Sequence, residues 1–399
     1  MGQRREADAV NEAFITPDVA KWARERSGVS HAQLAASLGI DPDELVAWEK
    51  GGASPPFGKA QEMARILRIP FGYLFLSTPP TEQPAIPDLR TVGEDQRGRL
   101  SPDFIEVLND ALIKQEWYRE HLEQHKTKKL AFVGRFRPAD GVLRVAADLS
   151  EVISIPELRN AAHSWDEFLR LLTRSTEAVG VMVMRSGIVG ANTHRTLSVN
   201  EFRGFAISDD IAPMVFINGQ DSRAAQIFTL AHELAHIWID QSGISNPDEI
   251  RIPTEHKSQI ERFCNGVSAE VLVPRHEFLQ HATATLTEQT TQKLAAHFRV
   301  SNVVILRRAY ELDVITKSEF FRLIAEEKRR QEERQLREQV EEERGGGNFY
   351  ATLVVRNSAI LTTAVVSAFK EGTLSHSDTA RLLNVKTGTL PKLTEGLFR

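Results

Sequence analysis

Cysteine is nearly absent. Cys264 is the single one among 399 residues, so no disulfide can form within the chain. That usage fits a reducing cytoplasm, which is the expected compartment. Long apolar runs are missing as well: no stretch approaches the roughly 20 residues of a membrane span, and no membrane is expected as a partner. The opening Met1-Gly2-Gln3-Arg4-Arg5 lacks the apolar segment of a secretory signal. Neither sign of charge dominates. A net charge of −5, from 49 Lys and Arg against 54 Asp and Glu, argues against a chain that coats nucleic acid but leaves room for a small DNA-reading module. What remains is an ordinary composition, 41% hydrophobic and 26% charged, over a length that suits two or three domains.

The most informative stretch runs from Phe228 to Trp238 and contains His232-Glu233-Leu234-Ala235-His236. Two imidazoles four residues apart share one face of a helix, where both can grip the same metal ion. Glu233, one residue past the first histidine, can then reach a water at the metal rather than the metal itself. That is the arrangement of a zinc peptidase, with Glu233 as general base. Asp221 and Ser222 supply cap chemistry, and Ile227, Phe228, Leu230, Ala231, Leu234 and Ile237 make the helix apolar on most sides. Two plain core histidines would leave three polar groups side by side in that helix, each needing a partner.

A catalytic zinc needs a third protein ligand and an open position. The next strong helix is expected over Gln259–Leu272, stopped by Pro274, with Ile260, Phe263, Cys264, Val267 and Val271 as its core face. Glu261 borders that face. Glu270, nine residues on, falls on the opposite side at 100° per residue, so one of the two can point at the metal. Glu261 is the better candidate, and Glu270 is expected to be solvated.

With these residues in view the chain resembles the ImmA/IrrE family of metallo-endopeptidases. The matching segments are Phe228–His236, Glu261–Asn265 and Ala269–Pro274. The resemblance implies a Zn2+ held by His232, His236 and Glu261, with Glu233 as general base. Cys264 stands where alanine is usual in the family, and is expected only to pack.

Residues 15–76 read as five short helices with sharp punctuation. Ser30 and Gln33 form a capping box that opens one helix, and Gly39 closes it. Asp41-Pro42-Asp43-Glu44 opens the next with an N-cap, a proline and a second capping box. The Gln33–Ile40 and Trp48–Gly51 segments resemble an Xre-type, lambda-repressor-like helix-turn-helix domain. The expected DNA-facing residues are Ser30, His31, Gln33, Asp43 and Glu44. Two of these sit uneasily with the others: Asp43 and Glu44, with Asp41 before them, put carboxylates where the duplex would come, and residues 1–80 carry nine Lys and Arg against ten Asp and Glu. Sequence-specific DNA binding, as a homodimer, therefore stands beside dimerisation or partner contact as the use of this module.

The expected fold is α+β and mostly α. A helix-turn-helix domain at 1–78 and a proline-rich linker at 79–100 lead to a zincin-like peptidase domain at 101–325, with a small sheet beside the metal-binding helix. A charged helix with a glycine hinge at 326–347 and a small C-terminal unit at 348–399 complete the chain. Val179–Met184 is expected as a buried strand, and Phe202–Ser208 with Pro213–Ile217 as an antiparallel pair turning at Ser208-Asp209-Asp210. By the resemblance, the substrate is a regulatory protein of repressor or antitoxin type. The rival reading is a non-enzymatic transcriptional regulator or antitoxin, with a toxin as partner and a structural or sensory metal. His256 and His276 are the guesses for an oxyanion donor, and His376 reads as a capping or surface residue.

Overall fold

Capping chemistry builds the N-terminal region much as its sequence suggests. The computed structural model describes residues 11–80, 86–87, 100–245, 259–282, 286–338 and 349–391. Four helices, α1 (Pro17–Arg26), α2 (His31–Leu38), α3 (Pro42–Glu49) and α4 (Phe57–Leu67), lead to a 3-10 turn at Phe71–Phe75. At the start of α2, the Gln33 amide donates to Ser30 Oγ and the Ser30 amide donates to Gln33 Oε1. Gly39 ends that helix at φ +64°, a left-handed conformation natural to glycine. At α3 the cap is simpler than expected, because Asp41 accepts from the Asp43 amide and no second capping box forms. Leu34, Leu38, Leu45, Trp48, Met63 and Leu67 close the core of this unit.

The remaining residues form a second compact unit, to which Ile86 and Pro87 also belong. It opens with α5 (Pro102–Gln124), whose first residues to Glu106 group with the N-terminal unit. Three helices follow: α6 (Val142–Ile153), α7 (Ile155–Ala161) and α8 (Trp165–Ala178). The strands are β1 (Met182–Ser186), β2 (Ile188–Val189), β3 (Asn192–Thr196), β4 (Gly204–Ile207) and β5 (Met214–Asn218). After β5 come the metal-motif helix α9 (Arg223–Trp238), the short strand β6 (Gly243–Ser245) and the glutamate-bearing helix α10 (Gln259–Leu272). Strand β1 starts three residues later than expected, because α8 runs to Ala178 and the chain reverses at Gly180 with φ +98°.

The main sheet has the order β1-β5-β4-β6, with β1 parallel to β5 and β4 antiparallel to both of its neighbours. Between β4 and β5, Asp209 Oδ1 accepts from the amides of Ile211 and Ala212 and so fixes the turn. Phe205 and Phe216 stack across the pair at 5.0 Å. Every residue of β4, β5 and β6 is buried.

Among the described residues α10 is followed by α11 (Arg275–His281), α12 (Glu288–Phe298), α13 (Asn302–Glu311), α14 (Lys317–Glu338) and α15 (Phe349–Asn357). The chain ends in α16 (Ala359–Lys370) and α17 (His376–Leu382). Helix α15 packs on β1, an edge strand whose free backbone groups call for cover. The buried Lys114 of α5 donates to Asp110 (2.6 Å) and to Asn357 Oδ1 (2.8 Å), and burial pulls its pKa down. Ser358 donates to the buried Glu177 at 2.5 Å. These bonds tie the start of residues 349–391 to α5 and α8 within the second unit. Among the described residues no single helix is long and apolar enough to cross a membrane. His376 opens α17 behind its cap Ser375, with its ring 4.7 Å from that of Phe369.

Candidate metal centre

Helix α9 is buried from Ala225 through Trp238, so its polar stripe lies in the core rather than on a surface. Ser222 caps it by accepting from the Ala225 amide. Its far end is pinned by Trp238, which donates to Asp148 at 2.8 Å and stacks on Phe132. Along this rod His232 and His236 fall one turn apart, and their Nε2 atoms lie 3.1 Å from each other. Glu261, in the first turn of α10, brings Oε1 to 3.1 Å from His236 Nε2 and Oε2 to 3.4 Å from His232 Nε2. All three residues are buried, at 0–1% exposure.

These separations are those of a metal site. Three donors on a tetrahedral ion with bonds of about 2.0–2.1 Å stand about 3.3 Å from one another. Burial alone would raise the Glu261 carboxyl, but the charges and hydrogen bonds of the two imidazoles outweigh it and hold the group far below the usual range. Glu233 is the opposite case. It is fully buried, and neither of its oxygens makes a well-formed hydrogen bond within the protein. Burial pushes its carboxyl well up, the Glu261 charge pushes it further, and the nearby Ser245 hydroxyl opposes them. A buried carboxylate without a partner is costly, and such a group in a native core calls for an explanation outside the protein's own atoms.

Two residues that sequence reasoning missed complete the surroundings. Ser245, on β6, places Oγ at 3.4 Å from both His236 Nε2 and Glu261 Oε1. Its cross-strand partner is Gly204 of β4. A methyl group at Gly204 would stand 2.6 Å from Thr229 Cγ2 and 2.9 Å from Glu233 Oε1, so the strand can pass this close to the carboxylate only without a side chain. No local signal marks either residue, since a pairing across some forty positions brings them to the site.

The other expectations divide. Glu270 is not solvated: it forms an ion pair with Arg308 and accepts from the Arg275 amide at 3.1 Å, which fixes it to the face of α10 away from the histidines. Cys264 is buried, and its thiol is pushed well up by burial and by the charges of Glu261 and Glu233, as suits a packing residue. His276 is exposed on α11, and His256 lies outside the described residues. A cavity of about 770 Å3 lies between α8, β1 and α15 and touches none of the four central residues.

In the N-terminal unit, Ser30 and Gln33 are engaged in their capping box yet stay exposed. His31 turns toward Glu49, with Nε2 at 3.0 Å from Oε2. Asp43 and Glu44 are exposed in the first turn of α3.

A buried cluster of two histidines on α9 and one carboxylate on α10, beside a small sheet, could hold a metal ion. Family comparison agrees: residues 176–310 match the peptidase family described as an IrrE N-terminal-like domain, and residues 21–74 match the helix-turn-helix family. Together the two matches give the chain the architecture of ImmA/IrrE proteins that carry an N-terminal Xre-type helix-turn-helix. No curated protein matches it.

Proposed function

We propose that the chain is a zinc-dependent endopeptidase whose ligands are His232, His236 and Glu261 and whose general base is Glu233. The observation that carries this reading is the convergence of three buried donors beside a buried carboxylate that makes no well-formed hydrogen bond within the protein. Zinc bound there supplies Lewis-acid activation of a water and of the scissile carbonyl. The residues do the rest. Glu261 completes the set of donors and balances the charge, and Ser245 adds a hydroxyl to the same cluster. Glu233, held against Gly204 and one residue from His232, takes the proton of the attacking water and delivers it to the leaving amine.

An extended peptide needs an edge strand to lie on, and β6 is the edge beside the cluster. Ile244 already donates its amide to Pro87 O at 2.9 Å, so this edge accepts an extended segment. The substrate is a regulatory protein of repressor or antitoxin type, and the helix-turn-helix module binds DNA in the same circuit.

A second reading has one observation behind it. The complete burial of the cluster suits a structural or sensory metal in a non-enzymatic regulator equally well. Glu233→Gln separates the two. Cleavage of the natural target protein should fall by about a hundredfold or more while the metal stays bound. Glu261→Ala should lose most of the metal, and Glu270→Ala should keep it. Unchanged turnover in Glu233→Gln, or metal loss in Glu270→Ala with none in Glu261→Ala, would remove this assignment.

A further inference from the structure

A second cluster of metal-ligand type lies on the helices that follow α10, apart from the buried centre. We propose that Glu277, His281 and His297 form a separate, solvent-accessible site for a divalent transition-metal ion of the zinc, cobalt or nickel class. Glu277 and His281 are four residues apart on α11 and so share a face. His297, next to last on α12, comes to meet them: its Nε2 lies 2.8 Å from Glu277 Oε1, and its ring centroid lies 4.6 Å from that of His281. Ligand atoms of all three residues fall within 4.8 Å of one another.

The carboxylate is held in place from behind. Arg159 donates Nη2 to Glu277 Oε2 at 2.5 Å, and is itself fixed by a bond to Leu272 O and by lying over the Phe298 ring. One carboxylate oxygen is thereby occupied, while Oε1 and the two imidazoles form the outer group. An oriented ligand of this kind is what outer-sphere partners supply in metal sites. Imidazole and carboxylate together select transition ions over Mg2+ or Ca2+. The nearby Arg159 charge weakens the attraction for a cation, so this site is the weaker of the two.

The ion takes the place of the proton between His297 and Glu277, and that proton is released to solvent. His281 and His297 are both exposed, which leaves the remaining coordination positions to water. The result is a clip that joins the end of α11 to the end of α12. The proposal does not depend on the peptidase reading.

The test is a Zn2+ titration of tag-free, full-length protein against a competing chelator. Two ions should bind, one tightly and one more weakly. His281→Gln and His297→Gln should each weaken the second by at least about tenfold and leave the first unchanged. Both positions are exposed, and circular dichroism will verify that the variants fold. If the wild type and the double variant bind the same number of ions with the same affinities, the proposal is wrong. If instead the buried centre takes no metal, an ion that depends on His281 and His297 still registers, so failure of one reading is distinguishable from failure of the other.

Discussion

Both units bury a charged cluster beside a helix, and they finish it in opposite ways. In the N-terminal unit Arg24 donates Nε and Nη2 to the two oxygens of Glu49 at 2.7 and 2.9 Å, His31 lies at 3.0 Å on the same carboxylate, and Arg24 Nη1 reaches Val29 O. The buried guanidinium meets its opposite charge there, and its hydrogen bond to Glu49 raises the arginine pKa further. In the second unit His232, His236 and Glu261 converge on a common centre, while Glu233 beside them makes no well-formed hydrogen bond. The first cluster is closed by the protein's own atoms, and the second has room for something else. Burial and charge alone do not separate a structural ion pair from a working site. The separating fact is whether the hydrogen-bonding capacity is used up within the chain.

The largest expected effect tests this contrast directly. Glu49→Ala leaves Arg24 buried and uncompensated, which should destabilise the N-terminal unit by about 3–5 kcal/mol. Glu261→Ala, made in metal-free protein, removes a carboxylate from two imidazoles that can stay neutral, and should cost about 1–3 kcal/mol. Hydrogen exchange followed separately in α1–α3 and in α9–α10 reads each unit by itself. Equal losses in the two would mean that the histidine cluster is structural, and the contrast would fail.

Next in size is Gly204→Ala. The added methyl group meets Thr229, Glu233 and the Phe216 carbonyl, all nearer than 3.0 Å. Overpacking of this kind costs about 1–3 kcal/mol. Because the collision falls on the proposed base, cleavage should suffer beyond the loss of folded protein. Activity per folded molecule is the quantity to compare, and an unchanged value would remove Gly204 from the site.

The smallest effect belongs to the outer face of the closed unit. With Arg24 consumed internally, the exposed start of α3 offers Asp43 and Glu44 to an approaching duplex. Asp43→Asn combined with Glu44→Gln should tighten binding to random DNA, on the order of tenfold at low salt. Titrations of the promoter of its own gene and of a scrambled duplex, at two salt concentrations, provide the comparison. If both duplexes bind equally poorly at low salt, the module has a protein partner instead.

Much of the molecule is legible along the chain because its cues are local. Ser30 with Gln33, Gly39, and the apolar spacing of α9 each act within a turn or two, so propensity and capping decide them before any tertiary contact forms. The histidine pair is local in the same sense, since a helix fixes the spacing of residues four apart. Preference for Glu261 over Glu270 followed from helical phase, and the structure puts Glu261 among the histidines. Phase did not reveal that Glu270 is held by Arg308, thirty-eight residues away. Nor could it bring Ser245 opposite Gly204, bind residues 349–391 to β1 and Glu177, or turn His31 toward Glu49. The sequence by itself determined the helices, their caps and two of the three converging donors, because those depend on neighbours in the chain. The tertiary structure alone decided what lies against Glu233 and which buried charges are left without a partner, because strand register and packing between distant segments set those distances.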